Sequence, residues 1–250
     1  MSAALQTFGL CKSFGGITAT DHVDFALAKG ARHALIGPNG AGKTTFVNQL
    51  TGMLRPSSGR IELMGEDITA LPPEARVKRG LARTFQINQL FATMTPLEMI
   101  ALVTSERLGR GRSPFRTLDR DATLVAETAE ILTRFKLDDI MNRPIATLPY
   151  GRRRQIEIAA AFAARPSVLL LDEPAAGVPE AERRELMATV AALPEDVSVL
   201  LIEHDMDLVF RFANRITVLV NGRVLAEGTP EAMARDPAVR AAYLGEAAHV

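Results

Sequence analysis

The chain has 250 residues, enough for one sizeable domain or two small ones. Its 29 Lys and Arg residues balance 29 Asp and Glu residues, which counts against a generic nucleic-acid binder because such proteins usually carry a basic excess. The single cysteine, Cys11, excludes an internal disulfide, and no CxxC motif or His/Cys cluster in the sequence indicates zinc. No apolar run is long enough to span a membrane, and the first residues do not resemble a signal peptide, so we expect a cytoplasmic protein.

Strands and one helix are predicted for the first quarter of the chain. Alternating apolar residues predict a strand through Val23, Phe25 and Leu27, and residues 32–36 predict a second strand that runs into a glycine-rich loop. Helical spacing begins at Thr44 and predicts a helix that stops at Arg55-Pro56. Its apolar face comprises Phe46, Val47, Leu50, Met53 and Leu54. Residues 60–64 predict another strand.

The rest of the chain predicts a helical middle followed by a buried sheet. Residues 88–165 are typical of helices, and within them the arginine-rich segment 105–120 is either a solvated surface, which we favour, or a docking surface. Continuous apolar runs at 168–171 and 197–202 are typical of parallel strands covered on both faces, with a helix over 179–193 between them. Further on, Asn221-Gly222 predicts a tight hairpin turn, and a short helical tail follows.

The stretch GPNGAGKTT, residues 37–45, fits the pattern G-x-x-x-x-G-K-[ST] of a phosphate-binding loop. Glycines let successive backbone N–H groups point at a phosphate, and the N-terminus of the following helix also favours an anion. Lys43 can reach the terminal phosphates, and the Thr44 hydroxyl can bind Mg²⁺. A glycine-rich turn without a ligand is the alternative, but the predicted strand before the loop and helix after it favour the phosphate loop.

An acidic pair follows the first predicted buried strand, and a histidine follows the second. Asp172 and Glu173 come directly after the first, at the strand end where ligands bind in open α/β sheets, and are suited to hold Mg²⁺ and to activate a water. The alternative is a capping pair for the next helix, since Pro174 follows. His204, after the second strand, is a candidate contact for a γ-phosphate, although a lone histidine is more often structural. We interpret the other histidines, His22, His33 and His249, as structural or exposed.

Two other classes of phosphate-loop protein fit less well. A guanine-specific GTPase would carry Asn/Thr-Lys-x-Asp, and none of the five lysines follows Asn or Thr. A small-molecule kinase would not need the Asp-Glu pair together with a histidine at a strand end, although spacing alone does not exclude it. A glutamine such as Gln86 is usually no more than polar surface.

The motifs together resemble an ATPase subunit of the ABC family. GPNGAGKTT, RTFQ, LPYGRRRQIEIA, VLLLDEP and LLIEHD occur in that family's order over nearly the whole chain. The second signature of the family usually reads LSGGQ, whereas residues 148–152 read LPYGR, so that Pro149 replaces the serine and Arg152 the glutamine. Within the family, KSFGGITATDHVDF, LPYGRRRQIEIA and DEPAAGV resemble ATPases of branched-chain amino acid uptake. Importers of urea, short amides or aromatic acids share the pattern.

The resemblance implies a fold, cofactors and site residues. The fold would be α/β, a P-loop NTPase (RecA-like) core with an antiparallel β subdomain and a helical subdomain at about 88–165, all within one nucleotide-binding domain over 1–250. ATP and Mg²⁺ would bind, with Glu173, His204 and Gln86 catalytic and with Thr44, Gln86 and Asp172 at the metal. The implied nucleotide contacts are Phe14, Gly37, Pro38, Asn39, Gly40, Ala41, Gly42, Lys43, Thr44, Thr45, Tyr150 and Gly151.

The resemblance also implies partners. A second ABC ATPase subunit, identical or paralogous, would place its Gly151 region on the nucleotide, because the phosphate loop alone leaves one face uncovered. Permease subunits and, indirectly, an external solute-binding protein complete the importer, with this chain peripheral on the cytoplasmic face of the membrane and no nucleic acid involved. Pro179 stands where an Asp is common. Arginines 152–154 are expected either to add positive charge or to form the polar face of a surface helix. The alternative is a soluble ABC-type ATPase acting on a non-transport complex.

Overall fold

The computed structural model describes residues 2–84, 90–110 and 121–244, and the chain divides into two compact units. The first unit comprises Met1–Arg83, Ser167–Glu173 and Pro194–Val250, and the second comprises Thr84–Pro166 and Pro174–Leu193. No helix among the described residues is long and apolar enough to cross a membrane.

Strands dominate the N-terminal third, which is built from β1 (Ala3–Phe14), β2 (Ile17–Ala28), β3 (Arg32–Ile36), α1 (Lys43–Thr51), β4 (Ser58–Leu63), β5 (Glu66–Asp67), α2 (Pro73–Lys78) and β6 (Leu81–Thr84). Helices follow as α3 (Pro96–Arg107), α4 (Ala122–Arg134), a 3-10 turn (Ile145–Thr147) and α5 (Tyr150–Ala163). The remainder consists of β7 (Val168–Asp172), α6 (Glu180–Ala191), β8 (Ser198–Ile202), α7 (Met206–Phe212), β9 (Arg215–Val220), β10 (Arg223–Gly228), α8 (Pro230–Arg235) and α9 (Pro237–Leu244).

A six-stranded sheet in the order β10-β9-β3-β8-β7-β6 forms the centre of the first unit. β3 pairs in parallel with both β8 and β9, and β7 pairs in parallel with β8. Every residue of β7 and β8 is buried, which confirms the prediction from their continuous apolar runs. The predicted hairpin is also confirmed, since Asn221 and Gly222 join β9 to β10 with φ of 49° and 76°, as a two-residue primed turn requires.

A four-stranded antiparallel sheet in the order β2-β1-β4-β5 is the other layer of the first unit. The alternating residues Val23, Phe25 and Leu27 are buried as predicted. They join one apolar cluster with residues of β3, α1, β7 and β8, so that the two sheets and α1 share a core. This core fixes α1 and the strand ends that carry the candidate site.

The helix predicted to continue to residue 54 ends earlier, at Thr51. Gly52 adopts φ 79° and caps α1, and its backbone N–H donates to the Gln49 carbonyl. The buried guanidinium of Arg76 donates to the carbonyls of Gln49 and Leu50, which satisfies acceptors that a helix C-terminus leaves open. The predicted apolar face is therefore wrong at Met53, which is 58% exposed.

Helices make up most of the second unit. α3 begins with a capping box in which Thr95 and Glu98 bond each other's backbone N–H groups. Arg107 forms an ion pair with Glu127 of α4 and donates to the Ala163 carbonyl of α5, which ties the three helices together. Arg107 therefore bridges helices instead of lying in the solvated surface that we predicted for 105–120. Residues 111–120 of that segment lie outside the described residues.

Candidate active site

The candidate site lies where three parallel strands end. Asp172 of β7 pairs with Ile202 of β8, and Ile202 pairs with Leu35 of β3, so the carboxyl ends of these strands share one edge of the sheet. The glycine-rich loop follows β3, Glu173 follows β7, and His204 comes two residues after β8. The sequence motifs therefore meet at the edge where open α/β sheets bind ligands.

Glycines give the loop between β3 and α1 its shape. Gly37, Gly40 and Gly42 have φ of 154°, 76° and 98°, a region that other residues rarely adopt. A Cβ on Gly37 would collide with the Leu219 carbonyl oxygen, and one on Gly42 with a carbonyl of β2. The loop is also tied to the β9–β10 turn, because the Gly222 N–H donates to the Ala41 carbonyl at 2.9 Å.

The hydrogen-bond donors of the loop are of the kinds that bind the phosphates of a nucleotide. Lys43 donates to the carbonyls of Gly37 and Pro38, so its ammonium lies across the loop. The first turn of a helix leaves N–H groups without intrahelical partners, and here that turn follows the loop directly. Asn39, Gly40 and Thr44 are exposed, while Ala41 is buried and Thr45 is half-buried. The cradle thus combines backbone donors, one ammonium and an accessible hydroxyl, which is the donor set that ATP needs.

Asp172 is mostly buried, and its carboxylate is ion-paired. Its Oδ2 accepts from Arg83 Nη2 at 2.6 Å, and Arg83 Nη1 donates to Asn48 Oδ1 of α1 at 2.7 Å. Arg83 was missed in the sequence, although it begins the RTFQ motif. Only the sheet order, which places β6 beside β7, brings Arg83 to Asp172.

Glu173 and His204 are neighbours across the strand ends. Glu173 has φ 45°, donates its N–H to the Ile202 carbonyl, and places Oε1 3.5 Å from His204 Nδ1. Glu203, also missed, is 2% exposed, accepts the His204 N–H through Oε2, and lies 3.8 Å from the imidazole. The capping alternative for Asp172 and Glu173 is wrong, because α6 begins only at Glu180 after Pro179. The sequence-predicted base and histidine are together, with a second carboxylate beside them.

Two further predicted residues of the first unit, Phe14 and His33, lie on its strands β1 and β3. Phe14 ends β1, is 51% exposed, and has Lys12 Nζ 5.2 Å from its ring centroid. His33 is structural, as we predicted, since it is fully buried and its Nε2 lies 2.7 Å from Thr217 Oγ1. Burial lowers the pKa of His33 from its ordinary 6.5 to about 4. Gln86 and His249 lie outside the described residues.

The signature stretch begins α5 in the second unit. Gly151 is buried, and a Cβ there would collide with Glu182 Oε2 of α6. The Tyr150 ring packs against Gly177, where an added Cβ would be 3.1 Å from Cε1. The helix follows Pro149 with no side-chain cap, so backbone N–H groups form its N-terminus.

All three arginines after Gly151 bind partners within the second unit. Arg152 donates to Asp139 at 2.7 Å and to the Lys136 carbonyl, and Arg153 donates to the Leu148 carbonyl. Arg154 is 1% exposed and forms an ion pair with Glu157 at 2.6 Å. Since a buried arginine cannot belong to the polar face of a surface helix, that alternative is wrong for Arg154, whereas Arg152 and Arg153 are half-buried.

Comparisons with known proteins identify the family of this chain. Residues 20–176 match the ABC transporter family model, and residues 223–249 match the model for the branched-chain amino acid ATP-binding cassette transporter. The chain is 42% identical to the high-affinity branched-chain amino acid transport ATP-binding protein BraF of Pseudomonas aeruginosa, covering 97% of this chain and 98% of that protein. It is 39% identical to the corresponding protein LivG of Escherichia coli K12, over 97% and 98% of the two chains.

A solved structure shows the same fold. The ADP conformation of an ATP-binding cassette of an ABC transporter superposes with a TM-score of 0.85 at 31% identity, covering 98% of this chain and all of that one. The predicted P-loop NTPase fold is therefore confirmed, and ATP is the nucleotide that this family binds. The chain belongs to the ABC transporter family, as an ATP-binding cassette that hydrolyses ATP.

Proposed function

We propose that this cassette powers an importer of branched-chain amino acids. The observation that carries the proposal is the strand edge where the phosphate loop, Asp172 and the Glu173–His204 pair meet, in a chain whose relatives are named as branched-chain amino acid transport proteins. The soluble alternative loses support, because those relatives match over nearly the full length of the chain and are named for transport.

In this proposal the phosphate loop binds the nucleotide. Backbone N–H groups of residues 39–45 and the Lys43 ammonium hold the phosphates, and the exposed Phe14 ring stacks on adenine. The ammonium exchanges its loop carbonyls for phosphate oxygens, which are charged and therefore stronger acceptors. Residues 1–250 are then one nucleotide-binding domain, with its helical subdomain at about 88–165.

Glu173 and His204 carry the chemistry. Glu173 accepts a proton from the attacking water, and the imidazole 3.5 Å away donates to the γ-phosphate or to the water. The buried Glu203 orients His204 through the backbone N–H that it accepts.

The oxygen donors beside the loop fit Mg²⁺, which prefers hard oxygen ligands. Thr44 and Asp172 would hold it together with Gln86, and the bound ion would supply positive charge to the phosphate oxygens. Arg83 holds Asp172 Oδ2 and so orients the carboxylate, as outer-sphere partners of metal ligands do.

A second cassette, identical or paralogous, completes the site. The α5 N-terminus at Tyr150 and Gly151 would bind the nucleotide held by the other subunit, through backbone N–H groups in place of the absent serine. Closure of the pair drives permease subunits, to which an external solute-binding protein delivers the amino acid. The cassette is then peripheral on the cytoplasmic face of the membrane.

The test is to purify the tagged chain from detergent-solubilised membranes of its source and identify what accompanies it. We expect permease subunits and a second cassette, together with a solute-binding protein that binds leucine, isoleucine or valine in a separate binding assay. Recovery only in soluble complexes would contradict the transport proposal. A solute-binding protein selective for urea or an amide would contradict the substrate and leave the transport proposal intact.

A further inference from the structure

A β-bulge places Cys11 opposite two residues of the neighbouring strand. In the β1–β2 pair Leu10 lies opposite Val23 and Lys12 opposite Thr20, so the single residue Cys11 faces both Asp21 and His22. A bulge of this kind redirects a side chain that regular alternation would send to the other face. Here the ligand atoms of three different side chains come close together.

The three side chains present metal-binding atoms at short range. The Cys11 sulfur, one carboxylate oxygen of Asp21 and one ring nitrogen of His22 all lie within 4.8 Å of one another. His22 Nδ1 is 2.6 Å from Asp21 Oδ1, and the His22 backbone N–H donates to Cys11 Sγ at 3.1 Å. Thiolate, imidazole and carboxylate are the ligands that Zn²⁺ takes in proteins, at about 2.0–2.3 Å each.

Arg223 holds the carboxylate from the other side. Its Nε and Nη2 lie 2.7 and 2.5 Å from Asp21 Oδ2, which leaves Oδ1 directed at the imidazole. A charged partner on the second oxygen is how metal-ligating carboxylates are commonly oriented. Arg223 therefore fixes the ligand without competing for the oxygen that an ion would take.

The cluster is accessible to an ion from solvent, and its protons can be accounted for when a metal binds. The His22 side chain is 79% exposed, so an ion and its water ligand can reach the cluster from solvent, while Cys11 closes the buried side. On binding, the thiol releases its proton to solvent, and the imidazole keeps its proton on Nε2 and coordinates through Nδ1. Three protein ligands and one water complete a tetrahedral coordination.

We propose that Cys11, Asp21 and His22 form a Zn²⁺-binding site on the antiparallel sheet of the first unit, separate from the phosphate loop. The site escaped the sequence analysis because its residues are ten and eleven positions apart and match no zinc spacing. It is connected to the nucleotide loop, since the Asp21 N–H donates to the Gly222 carbonyl, and the Gly222 N–H donates to the Ala41 carbonyl.

The test titrates the reduced, metal-free full chain with Zn²⁺ alone by calorimetry, and with Co²⁺ as a spectroscopic probe. We expect one Zn²⁺ per chain, a thiolate-to-cobalt charge-transfer band, and a higher Tm with Zn²⁺, because binding to the folded state stabilises it. Cys11→Ser and His22→Asn should each lower Zn²⁺ affinity at least tenfold, and Cys11→Ser should abolish the band. Asparagine suits the left-handed backbone of His22, where φ is 50°, so His22→Asn keeps the fold.

Glu62→Gln is the matched control, since Glu62 is an acid of the same sheet that pairs with Arg60 and lies outside the cluster. It should bind Zn²⁺ as the unsubstituted chain does. Arg223→Met should weaken Zn²⁺ binding by roughly tenfold, because it releases Oδ2. No stoichiometric binding, or equal binding by the unsubstituted chain, Cys11→Ser and His22→Asn, would overturn the proposal.

Discussion

The strand edge of the first unit presents side chains, whereas the α5 N-terminus of the second unit presents backbone N–H groups. At the strand edge, reactive side chains converge: Glu173 Oε1 lies 3.5 Å from His204 Nδ1, and Arg83 holds Asp172 at 2.6 Å. At the α5 N-terminus no side chain caps the helix, Gly151 is buried, and Arg152 donates to Asp139. The first region has the groups for acid–base chemistry, whereas the second offers helix N–H groups that can only bind.

In the proposed pairing of cassettes, this difference predicts that the α5 N-terminus still binds an anion despite the departures from the family signature. A serine hydroxyl and a glutamine amide add contacts, but a helix N-terminus attracts an anion through its N–H groups whatever residues carry them. Changes at the strand edge should therefore affect turnover, and changes at the α5 N-terminus should affect association.

Glu173→Gln should lower ATP turnover by roughly 10²–10⁴-fold while ATP still binds, because the amide cannot accept the proton of the attacking water. Phosphate release measures turnover, and a fluorescent ATP analogue measures binding. Glu180→Gln, an exposed acid at the start of α6, is the control and should leave turnover unchanged. Normal turnover by Glu173→Gln would place the base elsewhere.

The buried His33 should make the first unit sensitive to acid. Because burial lowers its pKa from 6.5 to about 4, the unfolded state binds the proton more readily between these values. The stabilisation is complete above pH 6.5, is lost as the pH falls through this window, and amounts to about 3 kcal/mol.

Urea unfolding at pH 7 and pH 5 tests this dependence. The His33→Gln variant should lose less stability between the two pH values than the unsubstituted chain. An identical loss in His33→Gln and the unsubstituted chain would assign the acid sensitivity to other groups.

Lys43→Ala should weaken ATP binding by roughly 10–100-fold, since hydrogen bonds to charged groups contribute about 1.5–3 kcal/mol. Equilibrium binding of ATP checks this expectation. Lys29→Ala, in an exposed turn between β2 and β3, should bind ATP normally. Unchanged affinity in Lys43→Ala would refute the phosphate cradle.

Gly151→Ala should weaken ATP-dependent association by about tenfold, roughly 1.4 kcal/mol, and leave ATP binding to the separate chain intact. The added Cβ must displace the Glu182 carboxylate, the flexible end of a side chain, so the fold should persist. Sedimentation with and without ATP measures association, and adding Glu182→Ala should restore it in part. Loss of ATP binding to the separate chain would instead make Gly151 part of the chain's own nucleotide site.

Much of the first unit followed from its sequence. Continuous apolar runs marked β7 and β8, Asn-Gly marked the hairpin, and the order of the motifs marked the strand edge. The prediction of the end of α1 was wrong because contacts outside the helical pattern determine where the helix stops. α1 stops at Thr51 because Gly52 turns left-handed and Arg76 takes the last carbonyls, and neither effect is visible in the helical spacing.

Contacts between distant strands account for what was missed at the site. Arg83 reaches Asp172 only because β6 lies next to β7, and a sequence does not state the order of strands in a sheet. The sequence offered Arg154 either as added positive charge or as surface charge, yet Glu157 one turn later neutralises it in the interior. Local patterns predict elements, whereas the partners of buried charges depend on topology.

In the proposed pair of cassettes, the α5 N-terminus of one chain completes the nucleotide site of the other. The most direct test of this pairing is the mass of the Glu173→Gln chain in solution with ATP and Mg²⁺, measured alone and then with any cassette that copurifies with it. We predict a pair of cassettes with ATP and single cassettes without it, and loss of the pair when Lys43→Ala is added. Single cassettes in both mixtures while ATP is bound would contradict the claim.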